Sequence, residues 1–124
     1  MRYIILFALF LMLFFDSYTQ VAIVSKPDNI FSIYQDRDPI GNYVIFGYEQ
    51  PNKESKKMIC FSNLTDQVEN NPNKCELGSY YDTSLLEFLE IFFISSTEDF
   101  AKLKLIKNGS EYIFYIQMKE IIFQ

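Results

Sequence analysis

The stretch AKLKLIKNGSEYIFYIQM, residues 101–118, decides the fold class. Asn108-Gly109 at its centre is the pair preferred by a two-residue type I′ turn, where both central residues need positive φ. Pairing across that turn sets Leu105 opposite Tyr112, Leu103 opposite Phe114 and Ala101 opposite Ile116, all on one face. The other face carries Lys102, Lys104, Ile106, Glu111, Ile113 and Tyr115 and is mixed. Turn chemistry and polarity sorting are independent signals, and their agreement predicts a hairpin with one buried face.

Upstream of it, residues 84–94 fit two readings. As a helix, Ser84 and Glu87 make a capping box, and Leu85, Leu86, Leu89, Phe92 and Phe93 gather on one side. As a strand, Phe88, Ile91, Phe92, Phe93 and Ile94 have the β-branched and aromatic composition, with one Glu on each face. Earlier still, Val21 to Ser25 and Ile30 to Gln35 are short apolar runs around Lys26-Pro27-Asp28-Asn29, which has turn chemistry, so a second hairpin is expected. Tyr43 to Glu49 is apolar on both faces and reads as the most central strand, covered on both sides. Gln50 to Ser55 is a polar loop, and Met58 to Ser62 is a short strand. From Asn63 to Lys74 the chain is polar, with nothing to bury. The sum is a mainly β domain, a small antiparallel sandwich or barrel of six or seven strands, or α+β if 84–94 is a helix. The immunoglobulin pattern fails, because Trp is absent and the two cysteines lie close together.

The opening residues set the expected compartment. The α-amino group and Arg2 precede an apolar run from Ile4 to Phe15, and Ser17 and Thr19 supply small residues before a cut. This is the pattern of a cleaved signal peptide, residues 1–19, leaving one domain at 20–124. Asp16 ends the run short of the roughly 20 apolar residues that a spanning helix needs. Secretion to the extracellular space is the expectation, with no membrane association after cleavage.

Composition narrows the partners. The chain carries 11 basic and 16 acidic residues, and the leader removes Arg2 and Asp16, so the net charge of −5 is unchanged. That balance disfavours nucleic acid and anionic membrane surfaces, which are bound by clustered Lys and Arg. In an oxidising compartment Cys60 and Cys75 read as one disulfide, closing a loop for a gain of roughly 3 kcal/mol. A two-cysteine metal site is the rival, but the chain has no His and no second cysteine pair. Asn63-Leu64-Thr65 and Asn108-Gly109-Ser110 are acceptor sequons in polar loops, which makes Asn63 and Asn108 glycosylation candidates.

Catalytic chemistry finds little to work with. The absence of His excludes Ser-His-Asp and Cys-His arrangements. Asp82-Thr83-Ser84 has Ser where an aspartic-protease turn has Gly, and there is no second copy. Glu87 and Glu90 are a carboxylate pair, but glycoside chemistry needs a deep cleft that so small a domain rarely builds, and a solvated helix face is the competing reading. Asp36, Asp38 and Asn42 form a weak calcium candidate, although Ile40 and Gly47 break the EF-hand pattern; a solvated turn is the competing reading. No cofactor is expected.

With 13 Phe and 9 Tyr, aromatics are the remaining signal. Tyr80 and Tyr81, beside Gly78 and the expected bridge, are the interaction candidates. The expected function is therefore a secreted, non-enzymatic protein-interaction domain presenting a disulfide-stapled loop, residues 62–84, to an extracellular protein. The alternative is a carrier of a small apolar ligand in an aromatic-lined cavity.

Overall fold

A computed structural model describes residues 22–33, 41–83 and 89–124, with only the backbone of Leu89. The leader and Asp36 and Asp38 of the calcium candidate lie outside the described residues. The chain is mainly β. Among the described residues nine strands make one sheet: β1 (Ala22–Ser25), β2 (Ile30–Ile33), β3 (Val44–Tyr48), β4 (Lys57–Ser62), β5 (Ser79–Tyr80), β6 (Leu89–Ser96), β7 (Phe100–Lys107), β8 (Ser110–Gln117) and β9 (Ile121–Phe123). Their order is β5-β4-β3-β8-β7-β6-β2-β1-β9, so the sheet is open, with β5 and β9 at its edges.

The β7–β8 hairpin forms in the register read from its turn, with Leu105 opposite Tyr112, Leu103 opposite Phe114 and Ala101 opposite Ile116. Asn108 and Gly109 both take positive φ, 52° and 80°, as a type I′ turn demands. Leu103, Leu105, Phe114 and Ile116 are wholly buried, while Lys102 and Lys104 between them are not. The β1–β2 hairpin also forms, over residues 26–29. The helix-or-strand ambiguity resolves to strand from Leu89 onward; residues 84–88 lie outside the described residues.

Two expectations change. Strands among the described residues number nine rather than six or seven, because β5 and β9 are too short to leave a periodic signal. The central strand is β7, the middle of the order, and not β3, which lies third. Ile45 and Gly47 of β3 do face the core, and Tyr48 is buried on the opposite side against the Phe100 ring.

One sheet can enclose a core only by bending over itself. Phe31 of β2 and Phe61 of β4 lie five places apart in the strand order, yet their ring centroids are 5.8 Å apart. The two halves of the sheet therefore face each other across a filled interior of Val24, Phe31, Ile33, Ile59, Phe61, Leu103, Phe114 and neighbours. Each such side chain contributes about 1.5–3 kcal/mol on burial. The ladder does not close, but Thr83, after β5, bonds to Ile33 of β2. Its Oγ1 accepts from the Ile33 N–H at 3.1 Å, and its own N–H donates to the Ile33 carbonyl at 3.2 Å.

Strand β5 runs parallel to β4, which imposes a crossover between them. Parallel neighbours cannot be joined by a tight turn, so the long polar stretch after Ser62 is a topological requirement. It carries a short helix, α1 (Thr65–Glu69), where the sequence pointed to irregular chain. None of its residues is buried, so no apolar periodicity announces it.

Candidate functional site

The crossover 63–78 is fastened by its own polar side chains. Ser62, fully buried, donates to the Tyr43 carbonyl at 2.7 Å and accepts the Leu64 N–H at 3.0 Å, which sets the exit from β4. Asn71 grips Cys75 twice: its Oδ1 accepts the Cys75 N–H at 3.1 Å, and its Nδ2 donates to the Cys75 carbonyl at 3.2 Å. Asn73 Nδ2 donates to Gln67 Oε1 at 3.0 Å, and Ser79 Oγ donates to the Gln67 carbonyl at 2.7 Å. Asn71 and Lys74 sit at positive φ, 44° and 52°, a conformation Asn tolerates better than most residues. A stretch rich in Asn, which looks merely hydrophilic in sequence, thus supplies donors and acceptors for its own backbone at Cys75.

Alanine at position 71 would lose both grips and meet an unfavourable left-handed backbone. Asn71→Ala is expected to cost about 2–3 kcal/mol in chemical denaturation. The same substitution at exposed Asn70, whose amide bonds only Asp66 beside it, should cost well under 1 kcal/mol.

The bridge expected between Cys60 and Cys75 is not formed. Both are free thiols, 1% and 4% exposed, enclosed between the outer face of β4 and the crossover. Each behaves as a small buried apolar group, and hydrogen bonds take the place of the staple. The Cys60 N–H donates to the Gly78 carbonyl at 3.1 Å, and the Leu77 N–H donates to the Met58 carbonyl at 2.8 Å. Burial pushes the Cys75 thiol up to about 11, helped by the Cys60 thiol and opposed by Lys57. Burial raises Cys60 too, against a hydrogen bond from Ser79 and the charge of Lys57. Both are protonated at neutral pH and poor nucleophiles.

A thiol whose folded value exceeds its unfolded value of 9.0 contributes stability below that value and loses it as pH rises toward 11. Unfolding free energy should accordingly fall by about 2 kcal/mol between pH 9 and pH 11. Cys75→Ala should flatten that slope in denaturant titrations across the range.

Both tyrosine candidates are partly exposed. Tyr80 is half-buried, its ring 6.0 Å from Phe61 and its hydroxyl donating to the Leu77 carbonyl at 2.6 Å. A Cβ on Gly78 would stand 2.6 Å from that hydroxyl, so glycine is needed there for close approach as well as for its φ of +99°. The Tyr81 carbonyl accepts the Tyr43 hydroxyl at 3.2 Å. The crossover's exposed residues are Thr65, Asp66, Glu69, Asn70, Pro72, Lys74 and Glu76, the last paired with Lys56.

The sequons differ in setting. Asn108 is exposed at the tip of the β7–β8 turn. Asn63 is engaged through both side-chain atoms, with Oδ1 accepting the Tyr43 N–H at 3.0 Å and Nδ2 donating to the Gly41 carbonyl at 3.2 Å. Asn42, the described member of the calcium candidate, is exposed. Among the described residues no group of three or more His, Cys, Asp or Glu is placed to hold a metal ion, and no helix is long and apolar enough to cross a membrane.

The sequence reading missed Asn71 and Thr83, whose effects depend on partners that only folding supplies. Comparison of the chain with protein-family models, curated proteins and solved structures gives no match.

Proposed function

We propose that this chain is a secreted, non-enzymatic interaction domain, released from a signal peptide at residues 1–19 and carrying a glycan on Asn108. Its partner is an extracellular protein, contacted through the crossover between β4 and β5. The observation that carries this reading is the hydrogen-bonded order of that crossover. A polar segment fixed by Asn71, Asn73 and Ser79 presents Asp66, Glu69 and Asn70 with little conformational freedom left to lose on binding. The protonated thiols and the lack of His support a binding role over catalysis. The packed interior of Phe31, Phe61 and Phe114 supports it over transport of an apolar cargo.

The test uses the glycosylated protein in the extracellular fluid it is secreted into, with a photo-crosslinking residue in place of Asn70 or, as a control, of Lys107. A discrete adduct is expected from position 70 alone, and Asp66→Lys with Glu69→Lys should abolish it. Equal adducts from both positions, or none from position 70, would refute the proposal.

A further inference from the structure

A second candidate lies where three connections meet, away from the crossover. The β3–β4 loop supplies Lys53, the β6–β7 turn supplies Glu98 and Asp99, and the turn after β8 supplies Met118 and Lys119. They surround a cleft of about 580 Å³ floored by Phe100, a size within the roughly 300–1,000 Å³ of small-ligand sites.

Its walls are built in advance. The Gln50 N–H donates to Ser55 Oγ at 3.1 Å, and the Glu54 N–H donates to Asn52 Oδ1 at 3.1 Å, which fixes the loop bearing Lys53. The Thr97 N–H donates to the Phe100 carbonyl at 2.8 Å, and the Met118 N–H donates to the Asp99 carbonyl at 2.8 Å, which ties the carboxylate wall to the Lys119 wall. Phe100 is held from below by the Tyr48 ring, edge to face at 6.2 Å.

The lining divides by charge. Both carboxylates come from one turn, and the two ammonium groups come from the other two segments. A neutral ligand would draw on none of the charged walls. An anion would meet Glu98 and Asp99 on a chain already at −5, and a cation would meet Lys53 and Lys119. A ligand with both charges and an apolar body between them satisfies every wall, with the body on Phe100 and Met118.

We propose that this cleft binds a short zwitterionic peptide, its ammonium group at Glu98 and Asp99, its carboxylate at Lys53 and Lys119, and an apolar side chain on Phe100. The site shares no residue with the crossover face, so its test is independent of that reading.

The probe is the dipeptide glycyl-phenylalanine, followed by NMR at the Met118 methyl and the backbone amides of 98–100. Saturable shifts are expected, with the N-acetylated and C-amidated forms each about tenfold weaker or worse. Glu98→Gln with Asp99→Asn, and separately Lys53→Gln with Lys119→Gln, should each weaken the dipeptide about tenfold. All four residues are exposed, so melting temperatures should hold, and Lys74→Gln should leave binding intact. Absence of saturation at millimolar dipeptide, equal binding of all three forms, or loss in only one of the paired variants would overturn the assignment.

Discussion

Gly47→Ala should destabilise the domain by about 3 kcal/mol, seen as a fall of roughly 15 °C in Tm. The position is a strand glycine at which backbone and core come unusually close. A Cβ there would stand 2.4 Å from Cδ2 of Phe114 and 2.5 Å from Cγ2 of Ile59. Neither neighbour is free to retreat, since both are wholly buried. Ile59 is across β4 in direct register with Gly47, while Phe114 stands on β8 at the other side of β3. Space is the mechanism, so shortening the obstructing ring should restore part of it. Phe114→Leu is costly alone, yet Gly47→Ala with Phe114→Leu should cost less than the two separately, by about 1 kcal/mol or more. Strict additivity would mean that the two side chains do not compete for one volume.

Phe61→Ala should cost about 3–5 kcal/mol, enough to threaten a domain of this size. Phe61 is where the two halves of the sheet and the end of the crossover meet: its ring touches Phe31 from β2 and Tyr80 from β5. Removing it opens a cavity that neither neighbour can fill, because Phe31 is buried and Tyr80 is anchored through its hydroxyl to Leu77. Phe31→Ala should be similarly severe, and a Phe31/Phe61 double-mutant cycle should yield a coupling of about 1 kcal/mol. Coupling near zero would mean that β2 and β4 do not face each other, and that the sheet does not bend as described.

What could be read before folding follows from the range over which each signal acts. The β7–β8 hairpin was legible down to its register, because Asn108-Gly109 constrains the turn and Leu103, Leu105, Phe114 and Ile116 share one face opposite a mixed one. The β1–β2 hairpin was legible for a similar local reason. Strand order was not. Nothing near Ala22 says that β1 will lie parallel to β9, or near Cys60 that β4 will lie parallel to β5. Those pairings decide why the chain needs a crossover at all.

Around the candidate site, position was visible and mechanism was not. The polar stretch and its cysteines stood out, but an even pair in an expected oxidising compartment favoured a covalent tie. The fold holds the segment through Asn71, whose partner Cys75 is four residues on, and through Ser62 and Ser79, whose backbone partners Tyr43 and Gln67 lie 19 and 12 residues away. The tyrosines beside it stood out as interaction candidates, but the packing of the Tyr80 ring against Phe61 was not visible.

Hydrogen exchange across residues 60–78, with and without a thiol reductant, tests the central claim most directly: the crossover is ordered by hydrogen bonds and packing, not by a covalent link. The amides of Cys60, Cys75 and Leu77 all donate within the protein, and all three residues are buried. They should exchange far more slowly than those of an open chain, and reductant should leave their rates unchanged. Exchange at open-chain rates, or protection that vanishes on reduction, would contradict the account.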